Sequence, residues 1–386
     1  MKITDMKCCL VEVPFGKSGL RTARTKPPGL VQRSERFCLV RIYTDEKIVG
    51  IGAQDVDDLG WCDNVERIVK PVLMKQIVEP YYVEKFANYL RAPSFGTGLN
   101  PRPCCVELAL WDLIGKKADL PVYKVLGACQ DRVKAYASVL EPYPIMSPQK
   151  WTEYIRRIDK EGFQAVKLHI GWLWPKPDKI LEVVRSVRKR LGYELGIMID
   201  TTQAWTPNPK YDLETAIRLA RGLEEYGALW LEEPLPHLNN PEVSARLCDA
   251  VDIPIAGGGA MFGYQKFRTV LEKGALDIVQ PDVTHGGGIL EVKRIAFLAE
   301  NYGKVCSPHY WGYGVGLAAT LQLLGSTNIP WLEYPHHPPA FTYQIRDSML
   351  TAPIVIDKEG YVDIPKQPGI GVALNEQFIR KHTITN

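Results

Sequence analysis

The chain has 386 residues, 46% hydrophobic and 24% charged, with a formal net charge of +3. That is apolar material for about two or three packed domains, and so small a charge gives no electrostatic case for a nucleic-acid or membrane-surface partner. No apolar run nears the ~20 residues that span a bilayer, and Asp5 sits where a secretory signal would turn apolar, so a cytoplasmic protein is expected.

Residues 2–15 and 36–54 read as strands, the second stretch folded over the turn Thr44-Asp45-Glu46-Lys47. Between them, residues 16–34 are rich in Gly, Pro, Arg and Lys without periodicity, which suits a mobile loop. From residue 62 to 127 apolar residues recur at helical steps, as in Val106, Ala109, Leu110 and Leu113, with Pro71, Pro93 and Pro101 as breaks. Strands followed by helices suggest an α+β layer. The nine cysteines are an odd number without paired ligand spacing. They read as small hydrophobes of a reducing compartment rather than disulfides or a zinc site.

From residue 133 the pattern changes. Short apolar runs ending in a charged residue, Gly or Pro recur at residues 133–138, 165–170, 195–200, 229–233, 253–257, 276–282, 305–309 and 331–333. Amphipathic segments such as 180–191 and 213–226 separate most of them. Eight strands alternating with helices fit a (β/α) barrel. An open doubly wound sheet would bring a phosphate-binding glycine turn after its first strand, and none is present. The tail, about 345–386, carries a further strand-like piece at 354–356 and is expected to rejoin the N-terminal layer. The division expected is a cap of residues 1–130, completed by about 345–386, and a barrel of residues 131–344.

Barrel active sites lie at the C-terminal strand ends, where side chains alternate between inside and outside. Val166, Leu168 and Ile170 share the outer face of their strand, so Lys167 and His169 point inward. The same alternation sends Asp200 and Glu232 inward, while Asp282, His309 and Glu333 close the last three strands. One inward histidine is commonly a satisfied core residue, and one strand-end acid commonly caps a helix. So many ionisable groups on a single mouth carry a desolvation cost that points to a functional site.

At these residues the chain resembles the mandelate racemase branch of the enolase superfamily, a mandelate racemase/muconate lactonizing enzyme-like protein. The resemblance rests on Val106-Glu107-Leu108-Ala109-Leu110-Trp111-Asp112-Leu113-Ile114-Gly115-Lys116 and Leu120-Pro121-Val122-Tyr123. It continues through Lys167-Leu168-His169, Asp200, Trp230-Leu231-Glu232-Glu233-Pro234, Ile255-Ala256-Gly257-Gly258, Gln280-Pro281-Asp282, Ser307-Pro308-His309 and Leu332-Glu333. It implies an α/β fold, a (β/α)7β-type TIM barrel under an α+β capping domain, assembled as a homo-oligomer. It also implies Mg²⁺ gripping the carboxylate of a small substrate and stabilising the enediolate formed when the α-proton leaves. Asp200 and Glu232 match the first two metal ligands. Lys167 matches a lysine near the substrate carboxylate, His169 an acid or base on one substrate face, Asp282 and His309 a dyad on the other, and Glu333 a partner of the substrate carboxylate.

The pattern breaks at the third ligand. Where the family reads Gly-Gly-Glu, Gly257-Gly258 is followed here by Gly259, Ala260 and Met261, and no carboxylate follows until Glu272. Asp200-Thr201-Thr202 also replaces the usual Asp-x-Asn. Three readings stay open: weak Mg²⁺ with the substrate completing its shell, a metal-poor variant in which Lys167 and the histidines stabilise the enolate, or a non-catalytic carboxylate-binding homologue. Two bases suit dehydration of a sugar acid first, and racemisation, epimerisation or lactone cycloisomerisation second. A histidine, with an unperturbed pKa of ~6.5 against ~10.4 for lysine, favours His169 as proton donor. For substrate contacts the candidates are Arg21 and Arg24 in the first loop and the aromatics Trp61, Trp172, Trp174, Trp205, Tyr310, Trp311 and Tyr313 around the mouth.

Overall fold

Alternating burial along the first strand gives the N-terminal sheet its buried face. In β1 (Ile3–Pro14) Met6, Cys8, Leu10 and Val13 are buried while Thr4, Lys7 and Glu12 face outward. β2 (Ser34–Thr44) and β3 (Val49–Asp55) complete the hairpin expected around Thr44, with Lys47 in the left-handed turn position and the Thr44 hydroxyl donating to Ile48 O at 2.9 Å. These coordinates, a computed structural model, describe residues 1–17, 19–22, 29–56, 58–91, 102–172, 176–206, 210–237 and 240–385. Arg24, Trp174, Pro93 and Pro101 lie outside the described residues. Pro71 stands inside the helix Trp61–Val72, whose end loosens into a π turn over Leu73–Ile77.

The helix Cys104–Ala118 is buried on most of its circumference because it lies between the antiparallel sheet and the rest of the molecule. Asp112, fully buried in it, accepts from Ile51 N at 2.8 Å, Ile370 N at 2.9 Å and the Lys116 ammonium at 2.7 Å. One carboxylate thus ties β3 and the C-terminal segment to this helix.

Eight parallel strands follow: β4 (Arg132–Val139), β5 (Ala165–His169), β6 (Gly196–Asp200), β7 (Trp230–Glu232), β8 (Ile255–Gly257), β9 (Ile278–Val279), β10 (Val305–Cys306) and β11 (Trp331–Pro335). They run in the order β10-β9-β8-β7-β6-β5-β4-β11, the topology of a (β/α) barrel wall. Inside, Tyr136, Ala165, Met198, Trp230, Ala256 and Ile278 pack as one buried layer with Trp331 against it. The next inward residues, two positions along each strand, lie above this apolar floor toward the mouth. The intervening helices start on sequence-readable caps: Ser147 accepts from Lys150 N at 3.3 Å, Asp212 from Thr215 N at 2.8 Å and Asn240 from Val243 N at 3.3 Å.

The tail places β12 (Tyr361–Asp363) antiparallel to β4 and β13 (Thr383–Thr385) antiparallel to β1, so the first sheet reads β13-β1-β2-β3. Among the described residues no helix is long and apolar enough to cross a membrane.

Candidate active site

The strand alternation delivers its charged residues to one place. Lys167, on β5, is fully buried and its ammonium lies 2.6 Å from Glu232 Oε1 and 2.7 Å from Glu333 Oε1. The ring of Tyr136, in the floor layer, lies below it at 5.6 Å. Burial alone would push the ammonium down, but Glu232, Glu333 and Asp200 outweigh it and hold it above its ordinary value. Burial works the other way on Glu333, yet Lys167, His309 and His169 draw that carboxyl below its usual range. Glu333 also accepts from the Ser138 hydroxyl at 2.6 Å and from Tyr310 N at 3.0 Å. Glu232 Oε2 accepts from Trp230 Nε1 at 3.0 Å and Gln280 Nε2 at 2.8 Å.

His169 stands between two acceptors. Its Nδ1 lies 2.8 Å from Val139 O and its Nε2 lies 2.9 Å from Asp200 Oδ2. A carbonyl and a carboxylate can only accept, so both contacts are satisfied when both ring nitrogens carry hydrogen. When protonated, His169 meets both acceptors and is placed to donate a proton. Asp200 Oδ1 is taken by Thr202 N at 2.7 Å.

The second histidine is held differently. His309 Nδ1 lies 2.8 Å from Asp282 Oδ2, while Asp282 Oδ1 receives Thr284 N at 2.6 Å, the Thr284 hydroxyl at 2.6 Å and His285 N at 3.2 Å. Burial lowers the His309 imidazole, but Glu333 and Asp282 outweigh it and raise it. Its side chain is 14% exposed, more than any other charged group of the cluster, and Nε2 is left for a substrate. The dyad is the arrangement that orients an imidazole as base.

Trp205, 44% exposed, tilts over His309 with ring centres 5.8 Å apart. Trp311 meets His169 edge-on at 6.1 Å and stacks on Phe341 at 5.4 Å. Trp172 follows β5 in the loop and is half-buried. Trp61, only 1% exposed, sits in the hydrophobic core of the cap layer. Arg21 donates to Gly29 O at 2.7 Å and lies over the Tyr143 ring at 5.3 Å, so it holds the first loop against the segment after β4. Tyr310 and Tyr313 are buried, and Tyr313 packs on Phe37 at 4.0 Å, joining cap to barrel.

Sequence reasoning passed over Ser138 and Gln280, each two residues beyond an inward residue, Tyr136 and Ile278, and so inward by the same alternation. It also passed over Glu233 and Glu107. Glu233 has a left-handed backbone, accepts from Gly258 N at 2.9 Å and is pushed up to about 8 by burial, with Asp200 nearby. Glu107 accepts from Ile289 N at 3.0 Å, Leu290 N at 3.1 Å and Trp111 Nε1 at 2.8 Å, so a cap-layer acid closes the N-terminus of the helix Ile289–Asn301.

Do these residues suit the Mg²⁺ that the resemblance implies? Hard cations rely on several free carboxylate oxygens in octahedral array. Both oxygens of Asp200 and of Glu232 already face donors, and among the described residues no group of three or more His, Cys, Asp or Glu is arranged to hold a metal ion. At Gly259 a Cβ would come within 3.0 Å of the His309 ring and 3.1 Å of Trp205. The donor set does not fit a resident cation.

Known proteins agree with this picture of the fold. The Enolase C-terminal domain-like family matches residues 150–378, and the mandelate racemase/muconate lactonizing enzyme N-terminal domain matches residues 29–127. The chain is similar to the arabinonate dehydratase of Saccharolobus solfataricus, 30% identical over 92% of this chain and 92% of that protein. It is also similar to the D-galactarolactone cycloisomerase of Agrobacterium fabrum, 31% identical over 71% of each. A solved racemase from Streptomyces coelicolor A3(2), with bound magnesium, superposes with a TM-score of 0.82 at 22% identity, covering 99% of this chain and 100% of that one. At that identity the likeness speaks for the fold.

Proposed function

The chain belongs to the mandelate racemase/muconate lactonizing enzyme family of the enolase superfamily, and from that premise we propose that it dehydrates a sugar acid. The observation that carries this reading is the unequal setting of its two histidines. His309, oriented by Asp282, offers a free Nε2 as base, while His169, seated between the two acceptors Val139 O and Asp200 Oδ2, serves as acid. His309 takes the proton from the carbon next to the substrate carboxylate, giving an enediolate. The electron pair then expels the β-hydroxyl, His169 donates the proton with which it leaves as water, and the enol tautomerises to a 2-keto-3-deoxy acid. Lys167 stabilises the negative charge and orients the carboxylate end, and Glu333 holds its ammonium in place. Trp205 and Trp311 wall the site beside the two histidines.

In this reading the chemistry belongs to the barrel, residues 131–344, and the cap, residues 1–130 with about 345–386, covers it. The enzyme works on a small carboxylate in the cytoplasm as a homo-oligomer. Lactone cycloisomerisation is the second reading, supported by the similarity to the D-galactarolactone cycloisomerase. It uses the same proton abstraction and differs in what leaves.

Proton NMR of a panel of aldonic and aldaric acids in D₂O tests the proposal. The α-proton signal of a substrate should disappear with enzyme, and a 2-keto-3-deoxy product should form. The His309→Asn variant should lose both, whereas His169→Asn should keep α-proton exchange and lose the product. Exchange retained in His309→Asn would refute the assignment of the base.

A further inference from the structure

We propose that this mouth takes no resident divalent cation and that the Lys167 ammonium, clamped between Glu232 and Glu333, supplies the fixed positive charge there. Lys167 has three donors and spends two of them on these carboxylates, at 2.6 and 2.7 Å. A divalent ion entering between Asp200 and Glu232 would have to displace the ammonium from Glu232 Oε1 and the imidazole from Asp200 Oδ2. The other oxygens of those two acids are held by Thr202 N, Trp230 and Gln280, so nothing is left idle for it.

The corner at Gly259 completes the case. Trp205 and His309 crowd the space its Cβ would need, at 3.1 and 3.0 Å. The glycine is therefore not a bare hole where an acid was lost. It is the small residue that lets an indole close over the imidazole of the base. A glutamate at 259 and the present seat of His309 compete for the same space.

The role given to Lys167 toward substrate rests on the proton-abstraction reading above, but the cation question does not. Electron paramagnetic resonance of Mn²⁺, titrated with the full-length protein, decides it. The free-ion signal should stay undiminished by equimolar protein at about 0.1–1 mM, a range in which even weak carboxylate sites fill. Stoichiometric loss of signal that Mg²⁺ reverses and Asp200→Asn abolishes would overturn the inference. Lys167→Met, which frees two acids of their ammonium, should bind Mn²⁺ at least about tenfold more tightly than the parent chain. A folded Lys167→Met that takes up no Mn²⁺ overturns the assignment to Lys167. If that variant does not fold, the parent titration still decides.

Chelation separates this inference from the proposed function. α-Proton exchange that continues in excess chelator supports both. Exchange that stops on chelation and returns with Mg²⁺ overturns the cation-free mouth and leaves proton abstraction standing. No exchange with any acid of the panel overturns the proposed function, while the Mn²⁺ titration still rules on the cation.

Discussion

Replacing Asp282 with Asn changes one atom and should disable the base. In the parent chain Oδ1 is fixed by three donors, Thr284 N, the Thr284 hydroxyl and His285 N, and Oδ2 accepts from His309 Nδ1. The Asn side chain has one oxygen and one NH₂, and the three donors select the oxygen for their side. The NH₂ then faces His309 Nδ1 as a donor, which turns Nδ1 into the acceptor and moves the ring hydrogen to Nε2. The imidazole stays in place, with the wrong nitrogen protonated. The corresponding Asp-to-Asn change in serine proteases drops kcat about 10⁴-fold for this tautomeric reason. Here a loss of about 10³–10⁴-fold in kcat is expected, or roughly 4–5.5 kcal/mol at 1.36 kcal/mol per decade, with KM nearly unchanged. The assay is the initial rate of α-proton loss in D₂O for a substrate found in the acid panel. A second readout needs no substrate: the ¹⁵N shifts of His309 should move from the Nδ1–H to the Nε2–H pattern. Activity within about tenfold of the parent, with the Nε2–H tautomer in place, would refute His309 as the base.

Three further expectations concern stability. Lys167→Met leaves Glu232 and Glu333 buried without their ammonium and should cost about 3–5 kcal/mol in urea unfolding, and a Lys167→Met/Glu232→Gln double variant should recover part of it; a loss under about 1 kcal/mol contradicts the clamp. His285 Nε2 donates to Asp55 Oδ1 at 2.8 Å, joining barrel to cap, and although burial lowers its pKa, Asp55 outweighs burial and lifts it to about 10. A raised histidine stabilises fully below its unfolded value of ~6.5 and loses that contribution as pH climbs through the folded value, so the stability gap between parent and His285→Asn should shrink from pH 6.5 to above 10; a gap constant across that window speaks against the ion pair. Gly288 has φ +92° and its Cβ would collide with the Glu107 carboxylate, so Gly288→Ala should destabilise by at least the ~1–3 kcal/mol of the backbone strain alone, read from the urea midpoint; an unchanged midpoint would show that Glu107 does not need to close that helix.

Much of the mouth was legible because a strand has a period of two. Once Val166, Leu168 and Ile170 were assigned to the outer face, Lys167 and His169 had to face inward, and both are buried in the barrel as expected. The strand lengths were less legible. The run 276–282 contributes only Ile278–Val279 as paired strand, because the residues beyond it turn to bring Asp282 back to Thr284 and His285. The aromatics divided in a way composition could not anticipate: Trp205 and Trp311 flank the histidines, while Trp61 fills the cap core. A tryptophan's sequence neighbours give no sign of which neighbour its ring will meet.

The sequence by itself determined the strand–helix alternation, the α/β barrel under its antiparallel cap and the list of charged strand ends, because each depends on local periodicity and short spacings. Only the tertiary structure decided what those charges do to one another. Ser138 reaches Glu333 across 195 positions of sequence, and Lys167 reaches Glu232 across 65. Whether an acid is free to bind a cation or already answered by an ammonium is a property of the neighbours that barrel closure brings within 3 Å, and Coulomb and hydrogen-bond energies are settled at that range.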